Sequence, residues 1–391
     1  MRIITSVVML ASFGLLAPSA AFAYNDDGHQ IIALIADHYL LPQTRDKVNA
    51  LLASDTDKLT AHDIAGAATW ADKYAESDKA TTHQRYDQTS GWHFAAIGAS
   101  RPNILQACFG QKPLTKGMAA SQGPAKDCVV DKIEQFSDEL ADSATPQTER
   151  LLALKYLLNL VGDIHQPLRV ADEGNSFGQK TAVAAPSVTP GDLFTLWDSV
   201  VISRLEQTSS PHAVARLLIA RISDEDQRLW ASRTPQLWAL EAHQLGVDYA
   251  YGMVGNFDDQ FRSIVEASQM DKAVKITANQ LSRAGVRLAF VLNQAFASTP
   301  LPTNLTEPSP GNAVAGAAFA RVVCGVCHVT TAGQEKPTTA PDFSVIAKTK
   351  GVNESALREF LLGTHPTMPN MHLSEKQTDN AIAYILSLKD K

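Results

Sequence analysis

Two all-α units joined by a proline-rich spacer are predicted for this 391-residue chain, and three observations predict them. Apolar residues recur at helical spacing, with no hairpin signature and no run of alternating strands. The length exceeds what one core usually serves. Pro300, Pro302, Pro308 and Pro310 fall in a single stretch, where they disfavour helix and give a stiff, extended connection. The resulting order is a leader at 1–23, a multi-helix domain at 24–297, a spacer at 298–312 and a small helical domain at 313–391.

The leader comes first. Arg2 precedes an apolar run over 3–16, and Ala21-Phe22-Ala23 follows. That is a positive n-region, an h-region too short to span a bilayer comfortably, and an Ala-x-Ala cleavage site. Cleavage would make Tyr24 the new N-terminus. No later stretch is long and apolar enough for a membrane helix, so a soluble periplasmic or secreted protein is expected.

In the large domain, 30–40 places Ile31, Ile32, Leu34 and Ile35 on one side of a helix. The Leu-rich run 151–161 is long enough for a buried helix. Residues 281–295 repeat the pattern, with Leu288, Val291, Leu292 and Ala295 on a core face. Stretches rich in Pro and Gly at 112–126 and 177–190 read as loops. The net charge of −7 argues against a broad basic nucleic-acid groove, but not against a nuclease whose positive charge comes from bound metal ions.

The small domain carries Cys324-Gly325-Val326-Cys327-His328, the attachment signature for covalent haem c. Two thiols at this spacing can add across the two vinyl groups of one porphyrin, and His328 then reaches the iron. A zinc site or redox dithiol would also use Cys-x-x-Cys, but neither needs the next-door His. Met368, in Thr367-Met368-Pro369-Asn370, supplies a thioether for the opposite face, a ligand pair that raises the potential of an electron-transfer haem. His365, His372 and Met371 are rivals for that position. A helix over 313–323, carrying Gly316 and Phe319, leads into the motif. A final helix starts near Ser374 as N-cap, with Tyr384, Ile385 and Leu388 facing inward. This domain resembles the monohaem cytochromes c throughout its length, which implies that the final helix crosses the first and that a periplasmic redox partner exists. Its 8 Lys and Arg against 7 Asp and Glu imply no strong electrostatic docking face. Four cysteines occur in all, so Cys108 and Cys128 remain to pair in an oxidising compartment.

A series of motifs runs through the large domain: Gly28-His29, Thr69-Trp70-Ala71-Asp72, Trp92-His93-Phe94, Cys128-Val129-Val130, Gly162-Asp163-Ile164-His165-Gln166-Pro167-Leu168, Trp197-Asp198 and Ala284-Gly285-Val286-Arg287-Leu288-Ala289. In this order, from Tyr24 to about Asn293, they resemble the zinc-dependent single-strand nucleases with three zinc ions, whose fold is shared with bacterial zinc-dependent phospholipase C. The resemblance implies that Tyr24 binds metal through its terminal amine and carbonyl, and that His29 is a ligand five residues on. It implies that Asp163 bridges two ions, and that Asp72 and His93 bind the first, with Asp72 also aiding the attacking water. Three family imidazoles are replaced, by Asn159, Arg169 and Phe194. Asn159 offers a carbonyl oxygen, acceptable to harder ions. Arg169 and Phe194 cannot ligate, so zinc or another divalent metal is expected in fewer than three copies. Arg169 is expected to take the place of the lost cation and pair with Asp198, and also to be able to grip a phosphate or carboxylate of a substrate. His165 is expected to have a packing or hydrogen-bonding role, and His38, His62, His83, His212 and His243 to be ordinary solvated or packed residues.

Two function classes follow. One is an exported, metal-dependent phosphodiesterase acting on single-stranded nucleic acid, nucleotides or another phosphate ester, fused to an electron-transfer haem domain. The other is a periplasmic electron carrier or redox enzyme, in which the nuclease-like domain has lost hydrolysis or holds a redox-active metal.

Overall fold

The computed structural model describes residues 24–98, 107, 114–115, 117–186, 188–231, 234–297, 311–325, 327–334, 340–362, 373 and 375–389. The leader at 1–23, Cys108, spacer residues 298–310, His365, Met368, Met371, His372 and Ser374 lie outside them. Helices dominate, and the all-α class is observed.

The helix Asp26–Tyr39 begins where the Asn25 side chain accepts the Gly28 amide, with Asp26 and Asp27 in a first turn that favours negative charge. Its Ile31, Ile32 and Ile35 are fully buried. They pack against the 29-residue helix Ala267–Ala295, whose Leu281, Leu288 and Leu292 face the same core. Across that core, Val129–Ala141 and Gln147–Asp163 pack on each other. From Ala153 to Asp163 every residue of the latter helix is buried, so it runs through the middle of the domain rather than over its surface.

One expectation is corrected here. The stretch 177–190, read as a loop, contains Ala182–Ala185, which forms an antiparallel pair with Val188–Asp192 and a parallel pair with Ser263–Ile264. Only Val183 of its first strand is buried, which is too little alternation to show in a sequence window. A second, two-stranded pairing joins Ile97–Gly98 to Ala171–Asp172.

In the small domain, Ala313–Val323 packs against Glu375–Leu386, as the resemblance implied. Asn312 caps the first helix by accepting the Val314 and Ala315 amides. The two helices touch backbone to backbone at Gly316, where any Cβ would collide with the Asn380 carbonyl. Around this contact Ala320, Phe343, Ala347, Leu357, Ile382, Tyr384 and Ile385 form the core, and the Tyr384 hydroxyl donates to Thr330 O at 2.6 Å.

Gly316→Ala is expected to cost this domain about 1–3 kcal/mol through overpacking. Amide exchange should then quicken across 313–323 and 375–386 but not across 147–163. Unchanged exchange in both helices would show that the contact tolerates a methyl group.

Candidate functional site

Four elements converge on one buried point. His29 comes from the first turn of Asp26–Tyr39, Asp72 from Trp70–Glu76, His93 from the end of the 3-10 turn Ser90–His93, and Asp163 from the last position of Gln147–Asp163. None of the four is more than 6% exposed. Asp163 is shared: Oδ1 lies 3.6 Å from His29 Nε2, and Oδ2 lies 2.6 Å from His93 Nδ1. Asp72 faces the same two rings, with Oδ2 3.7 Å from His29 Nε2 and Oδ1 3.7 Å from His93 Nδ1. Tetrahedral ligand atoms about 2.1 Å from one ion stand about 3.4 Å apart. Each of the two separations, His29 to Asp72 and His29 to Asp163, taken singly suits a pair of neighbouring ligands, while among the described residues the one group of three with ligand atoms all within 4.8 Å of one another is Asp55, Asp57 and His62.

The buried Asp72 Oδ1, Asp163 Oδ1 and His93 Nε2 have no hydrogen-bond partner. Acceptors buried in this way are costly unless something answers them, and a divalent cation would. The donor set of imidazole and carboxylate suits zinc. Burial pushes the Asp72 carboxyl up, against the pull of His93 and His29. In Asp163 the same desolvation is outweighed by His93, Arg169 and His29, and the carboxyl is held below its ordinary value.

The run from Gly162 to Leu168 has a physical reading residue by residue. A Cβ at Gly162 would lie 2.8 Å from His29 Nδ1, so only glycine lets that ring lie against the helix. Ile164 and Leu168 fill the core. Arg287 Nη1 lies 2.8 Å from His165 Nε2, and a guanidinium only donates, so Nε2 accepts. His165 Nδ1 then carries the proton, donating to Val161 O at 2.7 Å. Glu241 accepts from Arg287 Nη2 at 2.6 Å and completes the chain. The His165 carbonyl accepts from both the Tyr24 hydroxyl and Gln280 Nε2, each at 3.1 Å. Gln166 caps, and Pro167 opens, the short helix Pro167–Val170 that presents Arg169.

Tyr24 is completely buried, and the Asn25 amide donates to Asp198 O at 3.2 Å. Burial, then Asp198 and Asp163, raise the Tyr24 phenol pKa, which keeps its hydroxyl protonated and donating.

At the replaced positions the structure departs from two expectations. Asn159 Nδ2 donates to Asp72 Oδ2 at 2.7 Å and to Ala68 O at 3.0 Å, and lies 3.4 Å from His29 Nε2. Two acceptors hold the nitrogen there, so an N–H, not the expected carbonyl oxygen, faces Asp72 and His29. Arg169 does not reach Asp198: it forms no ion pair within 4.0 Å among the described residues. Its guanidinium instead lies 4.2 Å from the centre of the Phe94 ring and 5.1 Å from that of Phe194, a cation–π arrangement. Asp198 Oδ2 accepts from Ser199 Oγ at 2.9 Å, and Oδ1 has no hydrogen-bond partner. Burial pushes the Asp198 carboxyl up to about 8, with Arg169 and Ser199 drawing it back. An arginine, two rings and one such carboxyl do not fit a third metal ion.

A second group escaped the sequence reading. Asp55, Asp57 and His62 bring possible ligand atoms within 4.8 Å of one another. The buried Lys155 ammonium already answers both carboxylates at 2.6 Å. Its signal was a lysine inside the Leu-rich run. His38, His83, His212 and His243 are not part of the group formed by His29, Asp72, His93 and Asp163; His243 Nε2 lies 3.1 Å from Gly98 O.

In the small domain the Cys327 and His328 amides both donate to Cys324 O, at 3.1 and 2.8 Å, folding the motif into one turn. Neither Cys324 nor Cys327 is disulfide-bonded. His328 Nδ1 lies 2.7 Å from Pro341 O, so Nδ1 carries the proton and Nε2 is left for a metal. These residues fit a covalently attached haem. Cys128 is buried at the start of Val129–Ala141.

Comparison with known proteins agrees with the motif order. The S1/P1 Nuclease family profile matches residues 24–297, and the chain belongs to that family. It is 26% identical to Endonuclease 4 of Arabidopsis thaliana over 304 residues, 72% of this chain and 92% of that protein. It is 24% identical to Nuclease S1 of Aspergillus oryzae over 298 residues, 71% of this chain and 93% of that protein. A separate similarity joins it to Cytochrome c-552 of Bradyrhizobium diazoefficiens, 36% identical over 75 residues, 19% of this chain and 72% of that protein.

Two variants test the site. Gly162→Ala should displace the His29 ring and weaken metal binding by roughly 10–100-fold, read by competition with a chromophoric chelator. Wild-type affinity would show that His29 is not a ligand. Arg169→His combined with Phe194→His should add one bound divalent ion per chain beside Asp198, counted by elemental analysis. An unchanged count would mean that more than these two side chains excludes the third ion.

Proposed function

We propose that the large domain is an exported metal-dependent phosphodiesterase of the nuclease type, acting on single-stranded nucleic acid or nucleotides with fewer than three ions. The observation that carries this reading is the convergence of His29, Asp72, His93 and Asp163 in one buried cluster, each carboxylate facing both imidazoles. A divalent metal bound there would supply a hydroxide and neutralise charge on the attacking and leaving oxygens. Asp72, whose Oδ1 is free of hydrogen bonds, would take a proton from the attacking water. Tyr24 would complete the ligand set with its amine once the leader is removed. The small domain would carry haem c on Cys324, Cys327 and His328, with Met368 opposite, and pass electrons to a redox partner. Pairing of Cys108 with Cys128 and placement in the periplasm belong to the same reading. No described helix is long and apolar enough to cross a membrane.

A second reading, electron transfer by a chain whose nuclease fold no longer hydrolyses, is favoured by the Asn159 nitrogen facing Asp72 and by the filling of the third position with Arg169 and Phe194. One experiment separates the two. Elemental analysis of the purified chain, followed by single-stranded DNA and nucleotide hydrolysis assays of wild type and Asp163→Asn, should give one or two zinc ions beside the iron. Cleavage should fall by at least about two orders of magnitude in the variant. Iron as the only metal, with no cleavage, would establish the second reading instead.

A further inference from the structure

Arg169 is 1% exposed, yet its Nε and Nη2 have no hydrogen-bond partner. These two atoms form one edge of the guanidinium, with parallel N–H bonds spaced for two oxygens of a single anion. The chain supplies no such anion within 4.0 Å among the described residues, although Asp72, Asp163 and Asp198 all feel the arginine's charge. The group is nonetheless held in place. It rests against Phe94 and Phe194, whose ring centres are 6.2 Å apart, and Phe177 backs Phe94 at 4.5 Å. Its short helix is anchored by the Gln166 cap and by the Ala95 amide donating to Arg169 O at 2.9 Å.

A buried, positioned fork with an unpartnered edge, its charge felt by the carboxylates of a cluster suited to a cation, points to a ligand from outside. We propose that the Nε–Nη2 edge of Arg169 binds two oxygens of a phosphate group, as a permanent organic cation in place of the third metal ion. A phosphate suits this place better than a carboxylate. Its further oxygens can share charge with an ion held by His29, Asp72, His93 and Asp163, while a carboxylate has none left to offer. The proposal rests on the hydrolase reading only for the origin of the phosphate, as part of a substrate or product. Phe94 and Phe194 act as positioning residues.

Inorganic phosphate binding is measured by calorimetry on the full chain, zinc-loaded and again after chelator treatment, with acetate as the carboxylate control. Wild type should bind phosphate more tightly than acetate. Arg169→Lys keeps the charge but loses the fork and should weaken phosphate binding about tenfold, while Arg169→Gln should abolish it. Phe94→Leu, which leaves the arginine intact and loosens its support, should give an intermediate loss and decides with Arg169→Lys if the glutamine variant does not fold. Equal phosphate affinity in wild type and Arg169→Lys overturns the proposal, as does absence of phosphate binding by wild type in both metal states. Phosphate binding lost in the variants without any DNA cleavage by wild type would sink the hydrolase reading alone. Cleavage with arginine-independent phosphate binding would sink this one alone.

Discussion

A carboxylate with no exposure to water needs positive charge or hydrogen-bond donors close by, and Asp163 sets that demand for the large domain. It closes a helix whose preceding ten residues are all buried, among Leu160, Val161 and Ile164. His93 answers one oxygen directly, His29 stands near the other, and the charge of Arg169 reaches both Asp163 and Asp72. Much of the surrounding architecture keeps those answers in place. Gly162 makes room for one imidazole, and the Glu241–Arg287–His165 chain ties the end of the helix to two others.

The replaced positions share one physical theme. Where the resemblance implies imidazoles around metal, this chain places groups that carry their own protons or charge: an amide N–H at Asn159 and a guanidinium at Arg169, with the Phe194 ring beneath it. Arginine stays charged at any pH a protein survives. Such a site keeps part of its positive potential whatever the supply of metal, at the loss of the Lewis acidity an ion would bring. Lys155 repeats the theme between Asp55 and Asp57, where an ammonium stacked 3.9 Å from the Trp70 ring holds two carboxylates.

The sequence showed the helical class through local apolar patterns, and the family resemblance carried by the motif order implied which side chains would converge. Apolar spacing marked 30–40, 151–161 and 281–295, but the helices start earlier, at Asp26, Gln147 and Ala267. The first turns at Asp26 and Gln147 are polar, so hydrophobic periodicity is silent there, and the caps had to be seen in space. The site was legible through the Gly162–Leu168 run and the residues around His29, Asp72 and His93. What stayed hidden depends on partners from distant elements. The Ala68 carbonyl decides which end of the Asn159 amide faces Asp72, and Phe94 draws Arg169 away from Asp198. The hairpin at 182–192 was missed because one buried valine makes no pattern.

One consequence lies in the direction of the Gln147–Asp163 helix. It runs for 17 residues and delivers Asn159 and Asp163 in its final turn, where the summed peptide dipoles present their negative pole. The backbone itself therefore attracts cations to this spot, independent of which side chains line it. Exchanging imidazoles for other groups leaves that pull in place, so a lineage could trade a bound ion for a tethered one without first dismantling the electric field that had drawn the ion in.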